Sequence, residues 1–183
     1  MSSPTLINQL ATFLLTGGAI RFEDLGSGAA GTFQAAAGDQ GAVIRLDDSI
    51  LASLNGGDSY RLESFLGAVA HELGHAMTSI EGFQLDASNR DAYIESGLMN
   101  EAYAVLNAML VMHEVTVAGN VDVIPMMVFT GGNAGQAYES LYAQFGLDAD
   151  LTALLNGITD HLRELPGNPY GELYGNDWDS RFD

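Results

Sequence analysis

The sequence predicts one α+β domain over residues 1–183, mainly helical and with a small mixed sheet. Three stretches, at residues 4–16, 59–80 and 88–113, repeat apolar residues every three or four positions, a pattern typical of helices. Residues 41–48 instead alternate apolar and polar side chains, which indicates a strand. Because 47% of the 183 residues are apolar, the chain is long enough to bury one continuous core.

Glycines and capping residues mark several helix ends. Gly17 ends the first helix and Gly82 ends the second. Ser88 and Asp91 have the spacing of a capping box at the start of the third helix, which is expected to break at Ser96-Gly97. This helix is apolar nearly all round between residues 102 and 112, so it is expected to be buried. Two further helices are expected at residues 134–145 and 149–164.

The remaining segments are expected to be short strands, turns or coil. Two short strands and a turn are predicted at residues 20–22, 32–36 and 55–58, respectively. Pro125 weakens a strand at residues 121–129 and leaves a buried turn as the alternative. The tail at residues 166–183 is rich in Pro, Gly and Asn, and we expect it to pack as an ordered coil through its aromatic side chains.

The charge and the composition exclude several classes of partner and site. The chain has 24 acidic residues against six basic ones, all arginine, for a net charge of −18. A surface this acidic repels phosphate backbones and anionic lipids, so neither nucleic acid nor a membrane surface is expected as a partner. The N-terminal apolar stretch is too short for a membrane span or a signal peptide. The absence of cysteine excludes disulfides, thiolate nucleophiles and cysteine zinc sites.

The strongest functional signal is the HELGH sequence at residues 71–75, on the second predicted helix. The i, i+4 spacing places His71 and His75 on one face, one turn apart, so that both imidazoles can reach a single ion. Glu72 lies about 100° round the helix, beside the ion, where it can take a proton from metal-activated water. Small residues on the histidine face, such as Gly74, leave room for another element to approach.

These residues resemble the active-site helix of the zincin metallopeptidases. In the gluzincin branch, the third protein ligand is a glutamate on a second, downstream helix, and Asn100-Glu101-Ala102 resembles the start of that motif. The strand at residues 41–48 is similar to the edge strand that borders the active-site helix in zincins and holds an extended peptide. The resemblance covers about residues 41–112, and its compactness is similar to minimal metallopeptidase domains of bacterial secreted effectors and toxins.

The resemblance implies a function, a cofactor and partners. A Zn²⁺ ion would be held by His71, His75 and Glu101, and peptide bonds would be hydrolysed with Glu72 as general base. The substrate would be an extended peptide or protein, and an inhibitor or immunity protein would be a further partner. The chain would be secreted or be part of a larger exported protein.

The third ligand has alternatives in this sequence. Glu101 lies in an apolar stripe, where an uncompensated carboxylate is costly. Glu95 lies near the helix start, where the helix dipole favours a carboxylate without any metal. Among the other ligand candidates are Glu114, His161 and His113, although His113 is interpreted as structural at the end of its helix. Val105 occupies the position of an aspartate that orients a ligand histidine in thermolysin-like enzymes, so another group must orient the imidazoles.

A donor that faces the oxyanion would also assist peptide hydrolysis. His161, on the predicted helix 149–164, is the first candidate for this catalytic role, because two of the four histidines are already assigned to the ion. Three tyrosines are alternatives: Tyr103, Tyr170 and Tyr174.

Two other functions are compatible with the same motif. The protein could be a zinc amidase that acts on a cell-wall stem peptide, or a zincin-like module that binds zinc or a partner protein without catalysis. The intact Glu72 argues against the second of these, because a purely structural zinc site needs no base.

Overall fold

The fold is known from a computed structural model, which describes residues 3–26, 29–50, 59–119 and 150–182. The helices are α1 (Pro4–Leu15), α2 (Ser59–Ile80), α3 (Arg90–Gly119), α4 (Leu151–Glu164) and α5 (Pro169–Phe182), and the strands are β1 (Ala19–Glu23), β2 (Gly31–Gln34) and β3 (Val43–Asp47). The mainly helical α+β class with a small mixed sheet is thereby confirmed. Three predicted segments lie outside the described residues, at 55–58, 121–129 and 134–145.

The sheet has the order β1-β3-β2, with β1 parallel and β2 antiparallel to the central β3. The expectation that the strand at residues 41–48 is an edge strand is therefore wrong. The side chains of Ile44 and Leu46, on one face of the strand, are fully buried, and a strand with so apolar a face is best placed in the middle of the sheet. The edge strand that contacts α2 is β2.

Helix α2 lies between the sheet and α3. One face of α2 packs with α1 and the sheet, around the buried side chains of Phe13, Ile44, Leu46, Val69, Leu73 and Ala76. The other face meets α3, which also packs against α4 and α5. As the sequence predicts, α3 is buried: Ala104, Val105 and Ala108 have no exposed surface. None of the described helices combines the length and the apolar character that crossing a membrane requires.

Helix α3 differs from its prediction at both ends and in the middle. Asn89 caps it, with Oδ1 accepting from the Ala92 amide at 3.0 Å, so the expected Ser88–Asp91 capping box is wrong. The helix runs without a break through Gly97, because the space that a side chain would need there is filled by the ring of Tyr174. It also continues past His113, which therefore does not lie at a helix end as expected.

The tail forms the regular helix α5 and not the ordered coil that its composition predicts. Asn168 precedes the helix, and its Oδ1 accepts from the Gly171 amide at 3.2 Å. The tail aromatics recur at every fourth position, Tyr170, Tyr174, Trp178 and Phe182, so that they share one helical face. This spacing indicates a helix. It is a stronger signal than the Gly and Asn content, which indicates coil.

Glu114, one of the alternative metal ligands in the sequence, holds the start of α1 instead. Its carboxylate accepts hydrogen bonds from the Thr5 amide at 3.0 Å and from the hydroxyls of Thr5 and Ser3. Burial opposes the charged form of Glu114, but these hydrogen bonds outweigh it and lower the pKa of the carboxyl below its usual value. Ser3 in turn caps α1 by accepting from the Leu6 amide at 3.0 Å.

Gly74 sets the spacing between α2 and α3. A Cβ atom at Gly74 would lie 2.5 Å from the Cα atom of Ala104, so the two helix backbones are in contact at this point. This close approach brings the histidine face of α2 up to α3.

We expect Gly74→Ala to destabilise the protein, because the added methyl group must push the two helices apart. Overpacking of this kind costs about 1–3 kcal/mol, which exceeds the gain of about 1 kcal/mol in helix propensity. Gly67→Ala on the same helix is the control, since a Cβ there would meet no atom within 4 Å. It should raise the free energy of unfolding by about 0.4–1 kcal/mol. Urea unfolding of both variants measures the difference, and equal midpoints would contradict it.

Candidate metal centre

Three side chains from two helices converge on one point. The Nε2 atoms of His71 and His75, on α2, lie 3.2 Å apart. Oε2 of Glu101, on α3, lies 3.4 Å from Nε2 of His71 and 3.6 Å from Nε2 of His75. All three residues are at most 8% exposed. In the part of the chain that the structure describes, they are the only group of three or more such side chains close enough together to hold a metal ion.

The spacing of these three atoms fits a tetrahedral zinc ion. Zinc bonds of about 2.0–2.1 Å to imidazole nitrogen and carboxylate oxygen require ligand atoms about 3.3 Å apart at the corners of a tetrahedron. The observed separations, 3.2, 3.4 and 3.6 Å, lie close to that value. Two imidazoles and one carboxylate occupy three corners and leave the fourth open, which is the ligand set of catalytic zinc sites.

The electrostatics of the group favour a charged Glu101. Burial opposes ionisation of Glu101, but its hydrogen bonds and charge interactions with the two histidines outweigh burial, and its pKa lies well below the usual value. Burial also disfavours protonated His75, yet Glu101 reverses the balance and raises the pKa of His75. Glu101 thus supplies the negative charge that a bound cation would need beside two imidazoles.

Asn100, the residue before Glu101, is a polar neighbour of His75. Its Oδ1 accepts a hydrogen bond from the Thr78 hydroxyl at 2.9 Å, which ties the start of the Asn-Glu-Ala sequence on α3 to α2. Asn100 also contributes to the raised pKa of His75. Nδ1 of His75 is buried without a hydrogen-bond partner among the described residues, so no described group takes the orienting role that the sequence calls for.

Glu72 lies next to the three converging side chains and is itself buried, at 6% exposure. Burial, the largest effect, raises the pKa of Glu72, and the negative charge of Glu101 raises it further. The positive charges of His71 and His75 lower it, but the net result is a raised pKa. A carboxylate with a raised pKa is a stronger proton acceptor than a solvent-exposed one, as a general base requires.

Gly31, the first residue of β2, packs directly against Glu72. A Cβ atom at Gly31 would lie 2.9 Å from Cγ and 3.0 Å from Oε1 of Glu72. The edge strand of the sheet thus begins at the carboxylate, and the absence of a side chain at residue 31 leaves the space that Glu72 occupies. Gly31 is one of seven glycines between residues 17 and 41, and no local pattern in the sequence distinguishes it from the others.

If Glu72 is the general base of a zinc site, as the sequence predicts, Gly31→Ala is expected to lower turnover about 10–100-fold without changing the zinc content. The methyl group would displace the Glu72 carboxylate, and small misplacements of a catalytic group cost up to about 100-fold in rate. The backbone itself tolerates alanine, since Gly31 is not among the residues with positive φ. Steady-state kinetics together with metal analysis provides the check, with Gly67→Ala as control. Wild-type turnover in Gly31→Ala would show that Glu72 is not held by this contact.

The structure brings Glu101 to the histidines and leaves Glu95 elsewhere. On α3, Glu95 is rotated by about 240° about the helix axis from Glu101, so the two glutamates lie on different faces of the helix. Its Oε2 accepts from Nη2 of Arg163, on α4, at 2.6 Å, and both side chains of this ion pair are exposed. Glu95 therefore has a surface partner and is not a member of the converging group.

The candidates for an oxyanion donor have different surroundings. His161 lies on α4, and its Nε2 is buried without a hydrogen-bond partner among the described residues, but His161 is not in the converging group. Tyr103 packs edge-on against the ring of Phe83, and Tyr170 packs against the core around α3 and α4. Tyr174 donates a hydrogen bond to Oε1 of Glu101 at 2.8 Å. The assignment of His161 as an oxyanion donor stays a prediction.

Comparisons with family models, with curated proteins and with solved structures find no match to this chain. The likeness to zincin metallopeptidases rests on the HELGH and Asn-Glu-Ala sequences, and it remains a resemblance.

Proposed function

We propose that this protein is a zinc-dependent hydrolase that cleaves peptide bonds, with zinc held by His71, His75 and Glu101. The observation that carries the proposal is the near-tetrahedral spacing of three ligand atoms with a buried carboxylate, Glu72, beside them. Chance burial of two imidazoles and two carboxylates is costly, because each charged group loses its hydration. A cation at the centre would compensate that cost.

Zinc bound at this point would supply Lewis-acid chemistry, polarising a carbonyl and making water a stronger nucleophile. Glu72 accepts the proton that the attacking water loses, and it is placed for this by its position next to the first histidine ligand. Once protonated, Glu72 donates that proton to the nitrogen of the leaving amine. The two histidines and Glu101 would hold the ion through three protein ligands, as in catalytic zinc sites.

The edge strand β2 is the proposed support for an extended substrate. Among the described residues it pairs with β3 on one side only, and it runs from Gly31, which contacts Glu72. A peptide chain can add to such an edge through backbone hydrogen bonds, which would carry it past the carboxylate. The sequence analysis assigned this role to the strand at residues 41–48, but β3 is paired on both sides and has no free edge for a peptide.

Metal analysis of the purified protein, followed by an assay on unfolded casein with and without a chelator, tests this function. We expect about one zinc per chain and hydrolysis that the chelator abolishes and added zinc restores. The double variant His71→Ala/His75→Ala is the control and should contain no zinc. A chain that binds zinc but hydrolyses no peptide would contradict the proposal and favour a binding module. Cleavage confined to cell-wall stem peptides would favour the amidase.

A further inference from the structure

Tyr174, on the C-terminal helix α5, contacts the carboxylate of Glu101 from outside the proposed zinc site. The hydroxyl donates to Oε1 at 2.8 Å, whereas Oε2 of the same carboxylate faces the two histidines. The two oxygens of Glu101 therefore have separate partners. One is held by α5 and the other is left for a cation.

A glycine in the middle of α3 makes room for this tyrosine. Gly97 lies one turn before Glu101 on the same face of the helix. A Cβ atom at residue 97 would lie 2.4 Å from Cγ of Tyr174, so the ring covers the bare backbone and the hydroxyl reaches Glu101. Glycine inside a helix costs about 1 kcal/mol relative to alanine, and here it makes the contact between ring and backbone possible.

Several contacts away from the metal site hold α5 on α3. Arg90 forms an ion pair with Asp179 at 2.9 Å, and the Tyr93 hydroxyl donates to Asp177. The Tyr93 ring also packs edge-on against Trp178, with ring centroids 5.4 Å apart. These contacts fix α5 independently of Glu101, so that Tyr174 is presented to the carboxylate by a docked helix.

We propose that α5 is part of the metal site and that Tyr174 is a positioning residue for the ligand Glu101. This inference rests on the zinc site of the proposed function. The hydroxyl restricts the carboxylate to one orientation, in which a single oxygen points to the ion. Hydrogen bonds of this kind to metal ligands change metal affinity by about 10–100-fold. Because two coupled equilibria must affect each other equally, zinc binding stabilises the docked α5, and the docking of α5 strengthens zinc binding.

Zinc affinity of Tyr174→Phe, measured by competition with a chromogenic chelator, tests the positioning role. The variant keeps the ring over Gly97 and removes only the hydroxyl, so we expect zinc to bind about 10–100-fold more weakly. Tyr93→Phe is the matched control, because it removes another hydroxyl–carboxylate bond between α3 and α5 at a distance from the site. It should keep the wild-type zinc affinity, because the Arg90–Asp179 ion pair and the contact between the ring at residue 93 and Trp178 still hold α5 on α3. In the cobalt-substituted proteins, the visible spectrum should change in Tyr174→Phe alone.

Amide hydrogen exchange of the wild-type chain and of Tyr174→Phe, each with and without zinc, tests the linkage. We expect zinc to slow exchange in residues 169–182, and to slow it less in Tyr174→Phe. Wild-type zinc affinity in Tyr174→Phe, or exchange in α5 that zinc does not change, would overturn the inference. Neither result concerns peptide cleavage: a chain that passes both tests but hydrolyses nothing would contradict the proposed function alone.

Discussion

Glu72→Gln is expected to lower peptide turnover by at least about 100-fold while the protein keeps its full zinc content. Glutamine fills the same buried space beside Gly31, but it cannot accept the proton of the attacking water. The loss of a general base costs about 10²–10⁴-fold in rate. Because Glu72 is placed beside the metal ligands and not among them, zinc binding should be nearly unaffected. The turnover number with a fluorogenic peptide and the zinc content of the same sample are the two measurements.

Glu81→Gln provides the matched control for this experiment. Glu81 follows directly after α2 and is exposed, so the same chemical change is made close in sequence and outside the site. It should leave both turnover and zinc content unchanged. If Glu72→Gln were as active as the wild type, a base other than Glu72 would have to be found. If it lost its zinc, Glu72 would be acting as a ligand.

Glu101→Ala is expected to weaken zinc binding by more than about 100-fold, because it removes a ligand and not merely a group that orients one. Glu95→Ala, on the same helix, should leave zinc affinity unchanged. It removes only an exposed ion pair with Arg163, worth about 0–1 kcal/mol of stability. Zinc titration of both variants against a chromogenic chelator separates the two glutamates, and the opposite ranking would move the proposed site to another face of α3.

Local sequence patterns predicted the converging residues well. The i, i+4 spacing of His71 and His75 defines their common face on any helix, and the helix itself follows from apolar periodicity. Glu101 was preferred over Glu95 because it lies among apolar residues, and the structure does bring Glu101 to the histidines. These inferences succeed because each depends on neighbours within a few turns of one helix.

The failed predictions depend on contacts between residues far apart in the sequence. The alternation of residues 41–48 predicts a strand, but it does not tell which strands pair with it, so β3 was wrongly placed at the edge. The expected break at Gly97 is absent because Tyr174, from the other end of the chain, covers it. Similarly, nothing next to Gly31 in the sequence indicates that it contacts Glu72. The groups that position the site are therefore harder to predict than the residues of the site itself.

The bond between Glu114 and the start of α1 has a consequence for the order of folding. Helix α1 is synthesised before α2 and α3, and the carboxylate that accepts from its Thr5 amide follows more than a hundred residues later. At synthesis rates of about 5–20 residues per second, α1 waits several seconds or more for this partner. During that time Phe13, which is fully buried in the folded protein, faces the solvent on a short helix with little stability of its own. Helix α1 thus reaches its final environment only after most of α3 has been synthesised.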